Sequence, residues 1–300
     1  MAITGLGGIG KSALLNATLI ELANVPLFED YLWLRMEPID LEWLHEKEDH
    51  FWDHFTQRLA NAFLPEIRRT SNWQFQLAET LRESPRIIVI DNMDEQIVPP
   101  SFALRLEQFV RPSKIIVTSR ATMPLNSNIT QFSLGEIEKD PANLLIQERI
   151  IIANKDISNT EMTHLSDSIY QVTGGNPLAI RLAAGLTRGL PLDRITHSFS
   201  KIAGSKTEAM YRFIYEQSWN SLSKSGRKLL QGMPLVGSFG AKYDQLFEIG
   251  GLSEATLDEE IQVLLERSLI EMQGSKLDPH FGIHVLTNSF LQNDILNWIQ

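Results

Sequence analysis

Short apolar runs and longer amphipathic stretches alternate over the first 135 residues. The runs are MAIT at the start, YLWLRM at 31 to 36, RIIVID at 86 to 91, KIIVTS at 114 to 119 and ITQFSL at 129 to 134. Such short runs, rich in Ile and Val, suit strands covered on both faces, so this half is expected to be α/β, with a parallel sheet and helices on each side. Between the second and third runs, Phe51, Phe55, Leu59 and Phe63 recur every four residues. That spacing draws one apolar face of a helix over 46–64, stopped by Pro65, and assigns its aromatic residues to the core. The charged stretch LEWLHEKEDH at its start is expected to be a solvated loop and helix start.

After Gly135 the strand-like runs give way to helical spacing. Helices are expected over Pro141 to Ala153, Ser158 to Val172 and Pro177 to Thr187, with Gly174 and Gly175 ending one and Pro177 in the first turn of the next. From about Lys206 the pattern predicts further helices and a strong amphipathic helix over Ser253 to Arg267. Two short runs follow, SLIEMQ and FGIHVL, separated by GSKLDP and followed by a terminal helix. Helices followed by a two-stranded ribbon and another helix spell a winged helix. The expected division is an α/β domain at 1–135, a helical domain at 136–205 and a winged-helix domain at 206–300.

Composition narrows the chemistry. With 43% hydrophobic and 21% charged residues in 300, the chain is an ordinary globular sequence. A formal charge of −10 disfavours sequence-independent binding of nucleic acid phosphates, which draws on clustered Lys and Arg, although it leaves room for a local basic patch. The absence of cysteine removes disulfides, thiolate metal sites and thiol nucleophiles, and fits a reducing cytoplasm. No apolar run reaches the roughly 18 residues of a membrane span, so the expectation is a cytoplasmic protein with no membrane partner.

GLGGIGKS, from Gly5 to Ser12, matches G-x-x-x-x-G-K-[ST] and sits between an apolar strand and a helix. Gly5, Gly7, Gly8 and Gly10, with Ile9 between them, let backbone N–H groups turn around phosphate oxygens, and the helix start at Ala13 adds its positive dipole end. Lys11 supplies a point charge to the β- and γ-phosphates, and Ser12 a hydroxyl to Mg²⁺. In RIIVIDNMDE an apolar strand delivers Asp91 at its C-terminal end, the rim where open α/β sheets bind ligands. Asp91 is the expected Mg²⁺ ligand, direct or through water, and Asp94 or Glu95 the carboxylate that orients the attacking water. KIIVTSR ends on the same rim, where Arg120 is placed to read the γ-phosphate.

These landmarks, with GGNPLAI at 174 to 180 and FGIHVL at 281 to 286, resemble the STAND group of P-loop ATPases, and within it the NB-ARC-like proteins. The resemblance covers nearly the whole chain. It implies ATP or ADP with Mg²⁺, a 5-1-4-3-2 strand order, Arg120 beside the γ-phosphate, Pro177 packed on the adenine and His284 at the ADP β-phosphate. It further implies a signalling switch, closed on ADP, whose exchange for ATP and slow hydrolysis control domain opening and self-association, with effector and sensor domains or proteins outside this chain. Three features depart from that pattern. Asn92 replaces a second acidic residue, Ile283 and Val285 flank the histidine where the family has Met and Asp, and the chain opens on what would be a middle strand, so an upstream segment is expected in a longer protein.

Other readings compete. Asn92 leaves open a nucleotide-bound scaffold without significant hydrolysis. A winged-helix regulator binding DNA is the other alternative, but its candidate recognition stretch carries Asp258, Glu259, Glu260 and Glu266 against Arg267, which makes nucleic acid an unlikely partner. GTP is disfavoured because no N-K-x-D tetrad is present. His50 and His54 lie four apart on a helix face but lack a third ligand, so the polar side of the helix accounts for them.

Overall fold

The computed structural model describes residues 1–36, 40, 43–44, 46–64, 72–93, 100–107, 109, 112–120, 129–153, 157–202, 207–236, 240–275 and 278–295. They form two compact units, Met1–Gly135 and Glu136–Gln300.

In the first unit the described elements run β1 (Ala2–Thr4), α1 (Lys11–Ala23), β2 (Asp30–Arg35), α2 (Glu48–Phe63), α3 (Trp73–Glu83), β3 (Arg86–Asp91), α4 (Pro100–Glu107), β4 (Lys114–Ser119) and β5 (Gln131–Ser133). All the strand pairings are parallel, in the order β5-β1-β4-β3-β2, which is the order expected. Ile87 to Ile90 are all essentially inaccessible because β3 is covered on both faces. Alternate residues divide between two cores. Ile87 and Val89 join Ile3, Leu15 and Ile116 under α1, while Ile88 and Ile90 pack with Phe51, Phe55, Leu77 and Phe102 of the helices on the other face. Each such side chain contributes about 1.5–3 kcal/mol on burial. Phe51 and Phe55 are core as read, whereas Phe63 is only partly buried beneath the Arg86 guanidinium, 5.1 Å from its ring centroid. The solvated reading of LEWLHEKEDH needs correction: Leu44 is buried in that core, and Trp43 packs edge-on against the rings of His50 and His54. His54 Nδ1 lies 3.3 Å from the buried Asp40 carboxylate, which also pairs with Arg58.

The second unit continues with α5 (Lys139–Ala153), α6 (Asn159–Thr173), α7 (Pro177–Gly185), α8 (Leu192–Ile202), α9 (Thr207–Asn220), α10 (Lys224–Gly232), α11 (Tyr243–Gly250) and α12 (Glu254–Glu266). An antiparallel ribbon of β6 (Glu271–Ser275) and β7 (Asp278–Gly282) follows, then α13 (Val285–Phe290). Local chemistry sets the boundaries. Ser158 and Glu161 form a reciprocal capping box at the start of α6, and Ser253 caps α12. One continuous apolar core runs from Ala142 of α5 to Phe290 of α13. The run FGIHVL, expected as a ribbon strand, is a strand only in its first two residues. β7 stops at Gly282, and His284 caps α13, its Nδ1 accepting from Leu286 N–H at 3.1 Å.

Candidate functional site

The loop between β1 and α1 is anchored at both ends. Leu134 N–H donates to Thr4 O at 2.8 Å, and Gly10 caps α1 while its carbonyl accepts from Leu14 N–H. Gly5 approaches the backbone so closely that a Cβ there would stand 2.5 Å from Leu134 O, at a φ of 149° that L-residues avoid. Ile9 is buried beneath the loop and Ala13 is exposed in the first turn of α1. Lys11 is largely buried and its ammonium donates to Gly5 O at 2.8 Å and Leu6 O at 3.1 Å. A buried ammonium requires such acceptors, and these hold it against the glycine loop.

β3 and β4 supply the acidic side. Ile90 pairs with Val117 in register, so the next residues, Asp91 at the end of β3 and Thr118 one residue before the end of β4, lie side by side. Ser12 Oγ donates to Asp91 Oδ1 at 2.8 Å and lies 3.1 Å from Oδ2. Thr118 Oγ1 donates to Asp91 Oδ1 at 2.5 Å and accepts from Asn92 N–H at 2.9 Å. Asn92 adopts a left-handed φ of 73°, and its side-chain amide reaches Met36 O at 3.3 Å; Asn is among the residues that tolerate this region. Ser119 Oγ donates to Met93 O at 2.7 Å. The turn after β3 is therefore pinned by both hydroxyls that end β4.

The structure thus brings together Gly5, Gly7, Gly8, Ile9, Gly10, Lys11, Ser12, Ala13 and Asp91. Arg120 follows β4 directly and is exposed. Asp94 and Glu95 lie outside the described residues. The hydroxyl of Thr118 was not singled out from sequence as a partner of Asp91; a strand register placing it beside that carboxylate was the missing signal. The donor set fits a hard cation, since Asp91 offers carboxylate oxygens and Ser12 a hydroxyl within hydrogen-bond distance of it.

Pro177 and His284 belong to the second unit. Pro177 is the first residue of α7 and half-buried. Its neighbour Asn176 carries the local structure, its Oδ1 accepting from Leu178 N–H, Ala179 N–H and the Tyr211 hydroxyl at 3.1, 3.2 and 2.7 Å. Gly175 is obligatory, because at its φ of 87° a Cβ would lie 2.2 Å from Ile137 O. His284 uses Nδ1 as the cap acceptor, which leaves Nε2 as the ring nitrogen that carries hydrogen.

No family model matches the chain, and no curated protein matches it. Among solved structures, it is similar to the Aeropyrum pernix ORC1 protein in complex with DNA, at 12% identity over 100% of this chain and 88% of that one, with a TM-score of 0.41. It is also similar to Drosophila ORC bound to AT-rich DNA and Cdc6, at 10% identity over 97% and 84% of the two chains, with a TM-score of 0.28. Both neighbours were solved with DNA, and on that finding the expectation that nucleic acid is an unlikely partner is withdrawn. A charge of −10 is a sum over the whole chain and does not limit a local cationic surface. The rest of that partner reading, self-association in the ATP state included, is not carried forward. No described helix is long and apolar enough to cross a membrane. The sheet order and the loop joining β1 to α1 are those of an α/β P-loop NTPase fold.

Proposed function

We propose that this chain is a cytoplasmic adenine-nucleotide switch that binds ATP or ADP with Mg²⁺ and hydrolyses ATP slowly, as the NB-ARC-like resemblance implies. The observation that carries the reading is the convergence of Lys11, Ser12 and Asp91 around one loop, with Ser12 Oγ 2.8 Å from Asp91 Oδ1. Backbone N–H groups of Gly7, Gly8 and Gly10 and the start of α1 would receive the phosphates, and Lys11 would exchange its loop carbonyls for β- and γ-phosphate oxygens. Ser12 and Asp91 would hold Mg²⁺, which when bound neutralises charge developing on the phosphoryl oxygens. Thr118 orients the Asp91 carboxylate, and Asn92, lacking a carboxylate, cannot act as a base, which supports slow turnover with Asp94 or Glu95 as the water-orienting residue. Arg120 would read the γ-phosphate. We further propose that 136–205 is a helical domain presenting Pro177 to the adenine. Residues 206–300 would be a winged helix presenting His284 to the β-phosphate, so that nucleotide state controls domain opening.

The test is release of co-purifying nucleotide by heat, followed by ion-exchange chromatography, for the wild type and Lys11→Ala. Stoichiometric ADP in the wild type that disappears in the variant supports the switch. Wild-type protein that neither carries nor takes up adenine nucleotide with Mg²⁺ sinks it. The second reading, a scaffold that binds without significant hydrolysis, is favoured by Asn92 and is separated by single-turnover phosphate release.

A further inference from the structure

On the face of the sheet opposite α1, helices α2, α3 and α4 leave a groove of about 610 Å³ lined by Asp49, Trp52, Asp53, Leu77, Leu104 and Arg105, among others. Its floor is aromatic and aliphatic. Trp52 and Leu77 are buried core residues, while Leu104 is 63% exposed at the rim.

Among the described lining residues the carboxylates of Asp49 and Asp53 stand against one guanidinium, that of Arg105. Arg105 is the lining cation among the described residues, and it is committed: its guanidinium lies 2.6 Å from Asp49 and 3.8 Å from Glu48, and sits 5.5 Å from the Trp52 ring centroid. The Asp49 side chain is nevertheless 90% exposed. Asp53, one helical turn on and also exposed, makes no side-chain hydrogen bond or ion pair among the described residues. Two carboxylates at i and i+4 along one rim, facing an exposed leucine across an aromatic floor, form a surface with negative potential and one apolar anchor point.

We propose that this groove docks a basic amphipathic helix of a partner protein, with Lys or Arg at consecutive turns against Asp49 and Asp53 and a large apolar side chain between Leu104 and Trp52. Helix-in-groove recognition reads apolar anchors at helical spacing, and complementary charge sets orientation and rate. An acidic helix or a nucleic acid strand would meet like charge here.

The probes are two labelled synthetic helices with identical leucine positions, one carrying Lys and the other Glu at every polar position, titrated against the full chain by fluorescence anisotropy. The Lys helix is expected to bind at least tenfold more tightly than the Glu helix and to weaken with salt. Asp53→Lys and Leu104→Asp, both at exposed positions, are expected each to lower its affinity at least fivefold with unchanged circular dichroism. Equal binding of both helices, or Lys-helix affinity unmoved in both variants, overturns the proposal. Hydrogen exchange of the wild type provides an arm free of any folding defect. Protection by the Lys helix should map to 49–56, 74–77 and 104–109, and protection elsewhere is equally fatal to the proposal.

Discussion

Ser12 and Asp91 are seventy-nine residues apart in the chain and share a hydrogen bond of 2.8 Å. The contact joins the first turn of α1 to the end of β3, and Thr118 completes it from the end of β4. Three strand or helix ends therefore meet on one carboxylate, which is 7% exposed.

That arrangement makes Thr118 a positioning residue. Thr118→Val keeps the shape but leaves Asp91 Oδ1 without its 2.5 Å donor and Asn92 N–H without an acceptor. The expected cost is about 1–3 kcal/mol of stability, the range for stranding buried polar groups. On the proposed function it also weakens Mg²⁺-dependent ATP binding several-fold while leaving binding in EDTA nearly unchanged. Thr118→Ser should restore both, and calorimetric titration with and without Mg²⁺ reads the difference. A uniform loss in both conditions would mean that Thr118 acts on the fold alone.

The strands were legible because β1, β3 and β4 are apolar runs covered on both faces, and the phosphate loop because its spacing is fixed by backbone chemistry. Thr118 was not, since its role depends on the register Ile90 to Val117, which pairs residues from two separate segments. Asn176 was hidden beside Pro177 for a similar reason: its third donor is the hydroxyl of Tyr211, thirty-five residues away. His284 misled in the opposite direction. The run FGIHVL is apolar enough for a strand, but the histidine side chain offers an acceptor to the backbone two residues on, and that local bond starts a helix instead.

Lys11 and Asp91 should separate phosphate binding from metal binding. Lys11→Ala removes the point charge and is expected to lower ATP affinity at least 100-fold with or without Mg²⁺. Asp91→Asn keeps the size and one acceptor oxygen but loses the charge, so it should abolish the enhancement by Mg²⁺ and largely spare the EDTA value. Equilibrium dialysis of both variants distinguishes the roles, and an Asp91→Asn protein with wild-type Mg²⁺ dependence would remove Asp91 from the metal site.

Asn176 and Gly175 should govern the second unit. Asn176→Ala removes an N-cap together with the acceptor of the buried Tyr211 hydroxyl, for an expected loss of about 1–3 kcal/mol. Gly175→Ala should cost at least as much, because its Cβ would meet Ile137 O at 2.2 Å. Denaturant melts followed by probes in residues 136–300 test this, and a change below about 0.5 kcal/mol for either would be inconsistent with the geometry.

Tyr215 predicts an alkaline limit. Its hydroxyl lies 3.0 Å from Thr287 Oγ1, and burial pushes its ionisation above the ordinary tyrosine value of 10.0. The unfolded chain therefore releases this proton first, at about pH 10, and binds fewer protons than the native state above that pH. Stability from this group is fully present below pH 10 and falls as pH rises further. Tyr215→Phe should flatten that part of the alkaline decline while costing about 1 kcal/mol at neutral pH for the lost hydrogen bond. Denaturant midpoints between pH 8 and 11 measure both effects.

His284 carries two separable roles if the proposed function holds. As a cap, its Nδ1 accepts from Leu286 N–H at 3.1 Å, and Asn is a good replacement at that position. His284→Asn should therefore keep wild-type stability, whereas His284→Ala should lose about 1 kcal/mol. The nucleotide contact proposed for the imidazole is one that the shorter Asn side chain cannot reproduce at the same reach. His284→Asn is then expected to release ADP several-fold faster than the wild type at unchanged stability, read with a fluorescent ADP analogue chased by unlabelled ADP. If the Asn variant retains both stability and the wild-type release rate, the histidine is a helix cap only, and coupling of the second unit to the nucleotide must run through Pro177 or not through these residues at all.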